Sequence, residues 1–308
     1  MSVLRSSIRT AVSYRSHCNG HTAGGDNINS FMSWIGGKKA LRALIVSLFP
    51  LYYERYIEVF GGAGWVLFYK NPGNDFEVIN DFNSLLTNLY RCVRDKAQEL
   101  INSLRFTLNS REDFAITKEA LEKDSSMSDV KKASLYYQLI RYSYASGLTS
   151  FASQPHDMWA NFPIIEQAHR RLAKVVIENK DFEALIRQYD RPESFFYLDP
   201  PYYETEGYYS NVGEKGFTKE DHIRLRNILL KIEGKFLLSY NDCPFIRELY
   251  DMPGIIIKPV SRINNIKQRY ENGSVFEELL IANYDIEERG RHAPIQMNLF
   301  DVEEWKNE

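Results

Sequence analysis

Apolar residues recur at helical spacing in Leu41, Leu44, Ile45 and Leu48, and Pro50 closes the run, so a first helix is predicted over residues 38–48. Residues 55–60 form a short β-like run ending at glycines, and residues 77–80 form a second, ending at Asp81. Residues 83–93 then read as a helix with Leu85, Leu86, Leu89 and Tyr90 on its buried stripe. Strand, turn, helix, strand is the repeating unit of a doubly wound sheet. From Ala97 the strand-like runs stop. Helical periodicity takes over in residues 97–104, 113–121 and 131–144, followed by an irregular polar and aromatic stretch over 145–163. Strands resume at residues 174–177, 194–198, 235–240, 254–257 and 275–282. A helix is predicted over 218–232, with Thr218 as its N-cap and Asp221 three residues on. The pattern divides the chain into an α/β domain of residues 31–94 and 174–290, a helical insert of 95–173, a leader of 1–30 and a tail of 291–308.

Composition adds exclusions. With 44% hydrophobic and 26% charged residues in 308, the chain is neither disordered throughout nor a disulfide scaffold. No apolar run approaches the ~20 residues of a membrane span, so no membrane partner is expected. The leader is rich in Ser, Asn, Gly and Arg and reads as an extension outside the fold; the tail is acidic and solvated. Cys18, Cys92 and Cys243 are odd in number and make no C-x-x-C or other metal pattern, which suits free thiols in a reducing cytosol and no metal site. The net charge of −3 excludes a globally basic nucleic-acid coat, but leaves room for an enzyme with one basic face. The span 131–174 supplies such a face: Lys131, Lys132, Arg141, Arg170, Arg171 and Lys174 stand against Asp157 and Glu166 alone, interleaved with Tyr and Trp.

Three groups of residues carry candidate chemistry. Phe60-Gly61-Gly62-Ala63-Gly64 closes a strand before a helix, where missing Cβ atoms let backbone approach a ligand. Asp81 ends the next strand, where an acid can accept from ribose hydroxyls; the pair suits a nucleoside-bearing cofactor, although the spacing is not G-x-G-x-x-G. Asp199-Pro200-Pro201-Tyr202 follows the strand of residues 194–198. Its two prolines lack N–H donors and leave the Pro200 carbonyl free, so that Asp199, this carbonyl and the Tyr202 ring suit an exocyclic amine on a flat heterocycle. Trp34-Ile35-Gly36-Gly37-Lys38 precedes the first helix, with small residues able to cradle an anion, a lysine charge and an aromatic wall.

Taken in this order, with a long insert between the second strand and Asp-Pro-Pro-Tyr, the motifs resemble the Dam-type DNA adenine-N6 methyltransferases of the alpha arrangement. The resemblance runs from about Met32 to Asn283 and includes Asp181-Phe182 and the strand-like Glu278 to Asn283. It implies a Rossmann-like methyltransferase fold: a mixed seven-stranded sheet, its last strand antiparallel, with a helical target-recognition insert. It further implies S-adenosylmethionine as methyl donor. Trp34, Gly37 and Lys38 would contact it, Phe60, Gly62 and Gly64 would pass under its methionine part, and Asp81 would hold its ribose. Asp181 and Phe182 would line its adenine. Asp199, Pro200, Pro201 and Tyr202 would form the catalytic motif, with Asp199 also bordering the cofactor.

The implied substrate is duplex DNA, from which the target adenine must flip at a cost of a few kcal/mol. Tyr202 would replace the lost stacking, while Asp199 and the Pro200 carbonyl would accept from the amine; neither a metal nor a covalent intermediate is needed. Lys131, Arg141, Arg170 and Arg171 are expected to meet phosphates. Residues 146–150 match an Asn-Gly-Leu-x-Arg element of GATC-specific relatives, so Ser146, Gly147, Thr149 and Ser150 are expected at the bases. Ser150 replaces the arginine, which removes a bidentate guanine contact. The resemblance also implies a cytoplasmic enzyme, bacterial or phage-encoded, with a cognate restriction endonuclease as a possible companion. The rival readings are an amino-methyltransferase acting on cytosine N4 or RNA, a catalytically silent DNA-binding protein on the same fold, and a dehydrogenase, which the glycine spacing disfavours.

Overall fold

The computed structural model of the chain describes residues 28–34, 36–203, 216–263 and 275–292. The leader through residue 27, Ile35, and the tail from 293 lie outside the described residues.

Seven strands make one sheet: β1 (Arg55–Glu58), β2 (Phe76–Asn80), β3 (Val176–Glu178), β4 (Ser194–Leu198), β5 (Lys235–Asn241), β6 (Ile256–Ile263) and β7 (Val275–Ala282). Their order across the sheet is β3-β2-β1-β4-β5-β7-β6. The first five run parallel, and β7 runs antiparallel to both β5 and β6. The mixed seven-stranded sheet with an antiparallel last strand is the one expected. The central strands carry apolar residues on both faces because both faces are covered. Alternation sorts the side chains: Tyr56, Phe195 and Tyr197 enter one core, while Ile57, Phe196 and Leu198 enter the other. All six are essentially inaccessible, each contributing on the order of 1.5–3 kcal/mol of burial.

On the first face lie α1 (Arg42–Ser47), α2 (Trp65–Tyr69) and α3 (Ser84–Asp95). Asn83 caps α3 by accepting from the backbone of Leu85 and Leu86. Four helices follow before β3: α4 (Ala97–Leu104), α5 (Arg111–Lys123), α6 (Asp129–Tyr142) and α7 (Phe162–Leu172). Their apolar sides, Leu100, Tyr136, Tyr137 and Ile165 among them, join the same core as α1–α3. On the second face lie α8 (Phe182–Tyr189), α9 (Lys219–Leu229) and α10 (Pro244–Tyr250); a short α11 (Glu288–Arg291) follows β7. The capping box expected at Thr218 and Asp221 opens α9.

Four helices and one strand depart from the pattern-based expectation. Helix α1, read over residues 38–48, spans only Arg42–Ser47. Helix α7 falls partly in the stretch read as irregular, because Pro163 looks like a breaker; it sits in the first turn, where a missing N–H costs nothing. Pro244 plays the same part in α10. Helix α8 is only eight residues long and announces itself mainly through Asp181, its N-cap. Strand β6 runs on to Ile263 through Pro259, as an edge strand permits. Residues 28–30, assigned to the leader by composition, already pack: Ile28 lies against the core, and Ser30 Oγ donates to the Ala63 carbonyl at 2.5 Å.

Candidate active site

The chain leaves β1, moves outward through β2 and β3, and returns as β4 on the other side of β1. Adjacent parallel strands here feed loops of opposite direction, and ligands bind outside the carboxyl ends at such a switch point. Glu58 and Tyr197 are paired in register across β1 and β4, so the glycine turn after β1 and Asp199 after β4 emerge side by side. Between them opens a cavity of about 310 Å³. This lies in the range of small-ligand sites. All three groups of residues singled out in the sequence contribute to its wall, from Trp34, Gly37 and Lys38 through Phe60, Gly62 and Gly64 to Asp199 and Pro200.

The glycine turn is built by steric exclusion. Gly62 and Gly64 have φ of 47° and 64°, in the left-handed region. A Cβ on Gly64 would stand 2.8 Å from the Tyr90 hydroxyl oxygen, and one on Gly62 3.1 Å from Trp34 Cδ1. Tyr90 donates to the Gly62 carbonyl at 2.9 Å. Asp81 holds the turn from the next strand, accepting from the Gly62 N–H at 2.9 Å and the Asn83 N–H at 2.9 Å. Burial pushes its carboxyl above the usual aspartate range, and these two backbone donors oppose the shift.

One end of the cavity is aromatic. Phe60, Phe182 and Phe217 meet with ring centroids 5.6–5.9 Å apart. The Arg224 guanidinium lies 4.2 Å from the Phe182 ring centre and binds Asp181 at 2.8 and 3.2 Å. Asp181 thus caps α8 and carries a charge partner while bordering the cavity. The three rings pack on one another into an aromatic wall, backed by the guanidinium, against which a flat base can lie.

The other end is charged. Lys38, buried, places Nζ 2.6 Å from Asp199 Oδ1, 3.7 Å from Glu278 Oε2 and 4.6 Å from the centre of the Tyr202 ring. The Tyr202 hydroxyl donates to Glu278 Oε2 at 2.6 Å. Tyr202 is only 4% exposed and stacks on Phe276, with centroids 6.1 Å apart. The open aromatic face expected of it is therefore covered in this arrangement, and Lys38 stands on Asp199. Glu278 was legible only as part of a strand; its acid role has no local motif.

Glu58 was not singled out at all. It ends β1, lines the cavity, and accepts from the Tyr56 hydroxyl at 2.7 Å and the Leu67 N–H at 2.9 Å. Burial pushes its carboxyl up to about 8, against the two donors and with nearby Asp199 adding to the rise. An acid at the inward end of a strand, two residues before Phe60, was the available signal.

The residues expected on DNA separate into four groups. Lys131, Thr149, Ser150 and Arg170 are exposed. Arg141 is half-buried, and its Nε donates to His156 Nε2 at 3.2 Å. Ser146 and Gly147 are buried, and Ser146 lines the cavity. Arg171 corrects the expectation outright: its side chain is 6% exposed and grips both Glu77 oxygens at 2.6 and 2.7 Å and the Leu67 carbonyl at 2.9 Å. On α7 it faces the sheet while its neighbour Arg170 faces out, one residue being about 100° of helix.

A switch-point cavity floored by a glycine turn and walled by Asp199, Pro200 and Pro201, with Tyr202 buried and outside its lining, is the arrangement of a Rossmann-like methyltransferase. The chain matches the model of the D12 class N6 adenine-specific DNA methyltransferases over residues 34–271, most of its length, and it belongs to that family. It is 29% identical over 282 residues to the type II methyltransferase M1.LlaDCHI of Lactococcus lactis subsp. cremoris, covering 84% of this chain and 96% of the relative. It is 27% identical over 296 residues to the type II methyltransferase M.MjaIII of Methanocaldococcus jannaschii, covering 83% of this chain and 99% of the relative. To the DNA N-6-adenine-methyltransferase of Escherichia phage P1 it is 28% identical over 269 residues, 82% of this chain and 35% of that longer protein. The chain is a DNA adenine-N6 methyltransferase, and the adenine-in-DNA reading stands over its cytosine and RNA rivals.

Proposed function

We propose that this enzyme takes its methyl group from S-adenosylmethionine and delivers it to an adenine flipped out of duplex DNA, with the residues above in defined roles. The observation that carries the reading is the joint placement of Asp199 and the Gly61–Gly64 turn on one cavity, at the carboxyl ends of two paired strands. The residues present fit the cofactor: a wall of three phenylalanines for its base, a half-buried Asp81 for its ribose, and a glycine-rich turn beside buried Glu58 for its amino-acid end. When bound, S-adenosylmethionine supplies an electrophilic methyl on a sulfonium centre.

The chain's own groups prepare the nucleophile. The lone pair of an adenine amine is spread into its ring. Hydrogen bonds from the amine to Asp199 and to the Pro200 carbonyl draw the nitrogen toward a tetrahedral shape and localise that pair. Lys38 fixes the Asp199 carboxylate at 2.6 Å, so the acceptor is oriented before substrate arrives. Since Lys38 also stands over Tyr202, stacking of the base on that ring requires the lysine side chain to shift as the base enters. Thr149, Ser150, Lys131 and Arg170 supply the exposed polar and basic groups toward DNA; Arg171 does not. Relatives from a bacterium and a phage support a cytoplasmic, bacterial or phage-encoded enzyme, and the type II names support a cognate restriction endonuclease as its companion.

The test is methylation mapping of plasmid DNA from cells that lack adenine methylation and express this chain. Wild type should mark one short sequence throughout, and Asp199→Ala should mark none. Unmarked DNA from a folded wild-type protein would overturn the reading.

A further inference from the structure

Residues 143–151 form a tight turn after α6, clamped at its base. The backbone N–H of Tyr144 donates to the Ser150 carbonyl at 2.8 Å, that of Ala152 to the Tyr142 carbonyl at 2.7 Å, and Ser143 bridges Phe151. Thr149 and Ser150 are exposed near its end, whereas Ser146 and Leu148 are buried. Ser146 and Leu148 have φ of 59° and 60°. Side chains other than glycine adopt the left-handed region at an energetic cost, and such residues persist only where their surroundings hold them. What holds Ser146 comes from far away in sequence: its hydroxyl lies 2.6 Å from that of Ser33, 113 positions earlier. Ser33 immediately precedes Trp34, whose indole lines the cavity against Gly62; Ser146 lines the same cavity.

We propose that Ser146 is a positioning residue which, through Ser33, couples the occupied cofactor cavity to the shape of the DNA-reading turn. The inference rests on the reading of the cavity as the cofactor site and of the turn as a DNA contact. A cofactor that fixes the Trp34 wall fixes Ser33, and Ser33 holds the turn in the shape that presents Thr149 and Ser150. Linkage makes the effect reciprocal: bound DNA tightens the cofactor by the same factor.

The experiment measures binding of a fluorescent duplex carrying the mapped target, with and without saturating S-adenosylhomocysteine. The proteins are wild type, Ser33→Ala, Ser146→Ala, the double variant and Thr149→Ala, each with its melting temperature. S-adenosylhomocysteine should tighten DNA binding by wild type. Each serine variant should lose about two- to tenfold of that tightening, the span of one hydrogen bond, and the double variant should lose no more than either single one. Thr149→Ala should change DNA affinity equally in both arms. Wild-type tightening in the serine variants, or losses that simply add, would overturn the coupling. A wild-type protein that does not bind S-adenosylhomocysteine at all would instead overturn the cofactor reading beneath it.

Discussion

Replacing Arg171 by Ala should destabilise the fold and leave the electrostatics of DNA binding unchanged. The guanidinium makes two short bonds to Glu77 and one to the Leu67 carbonyl, in a site where both charged side chains are at most 7% exposed. Glu77 keeps Lys70 at 2.8 Å on Oε1 after the substitution, but Oε2 loses its partner. Removing one member of a buried pair typically costs 3–5 kcal/mol; with Lys70 still in place the lower end applies, about 3 kcal/mol. At roughly 2–4 °C per kcal/mol, the midpoint should fall by about 6–12 °C. The pH dependence has a definite sign. Burial raises the Glu77 carboxyl, but Arg171 and Lys70 outweigh it and leave it below the usual range. Its stabilisation is therefore fully present above the unfolded value of 4.5 and lost as pH falls through the depressed folded value, so the gap between wild type and variant should narrow in acid. Arg170→Ala is the control: exposed, it should change stability by less than about 0.5 kcal/mol. If Arg170 meets a phosphate, its loss should lower the log–log salt slope of DNA binding by about 0.9. Thermal melts at pH 4 and 7.5, with salt titrations on duplex DNA, separate the two arginines. An Arg171→Ala protein with a wild-type midpoint and a reduced salt slope would refute the assignment.

Other outcomes follow from the site. Asp199→Ala should reduce turnover on the order of 10²–10³-fold, measured at saturating cofactor, with a smaller effect on cofactor affinity than Asp81→Ala. Calorimetric titration with S-adenosylhomocysteine should show about tenfold or greater weakening for Asp81→Ala, because the substitution removes both a ribose acceptor and the anchor of the Gly62 N–H. Glu58 is raised from 4.5 to about 8 on folding, so its ionisation opposes folding increasingly from pH 4.5 to 8. Glu58→Gln should therefore gain stability relative to wild type across that window and hold the gain above it, as thermal melts at pH 5 and 8.5 would show; a pH-independent difference would contradict the buried neutral acid.

The sheet was legible because parallel central strands leave unbroken apolar runs, and residues 194–198 and 235–240 need no further clue. The site was legible where chemistry requires rare residues in sequence order, as in the glycine turn and Asp-Pro-Pro-Tyr. It was not legible where function depends on which face of an element a residue occupies. Arg170 and Arg171 are identical in composition terms, yet one helix step sends one to solvent and the other into the sheet. Glu58 and Glu278 look like ordinary strand carboxylates until the registers of β1 with β4 and of β5 with β7 bring them beside Asp199 and Lys38. Ser146 matched a base-reading element by order alone, and its contact with Ser33 depends on a tertiary approach that no local pattern encodes.

In the proposed reaction, one cavity brings a sulfonium methyl to an adenine amine held by Asp199. The most direct test incubates purified protein with duplex DNA and S-adenosylmethionine carrying a deuterated methyl, followed by digestion to nucleosides and mass spectrometry. Wild type should place deuteromethyl label on deoxyadenosine N6, and Asp199→Ala should lose it at saturating cofactor. Label on cytosine N4, or undiminished labelling of adenine by the Asp199→Ala protein, would contradict this reaction.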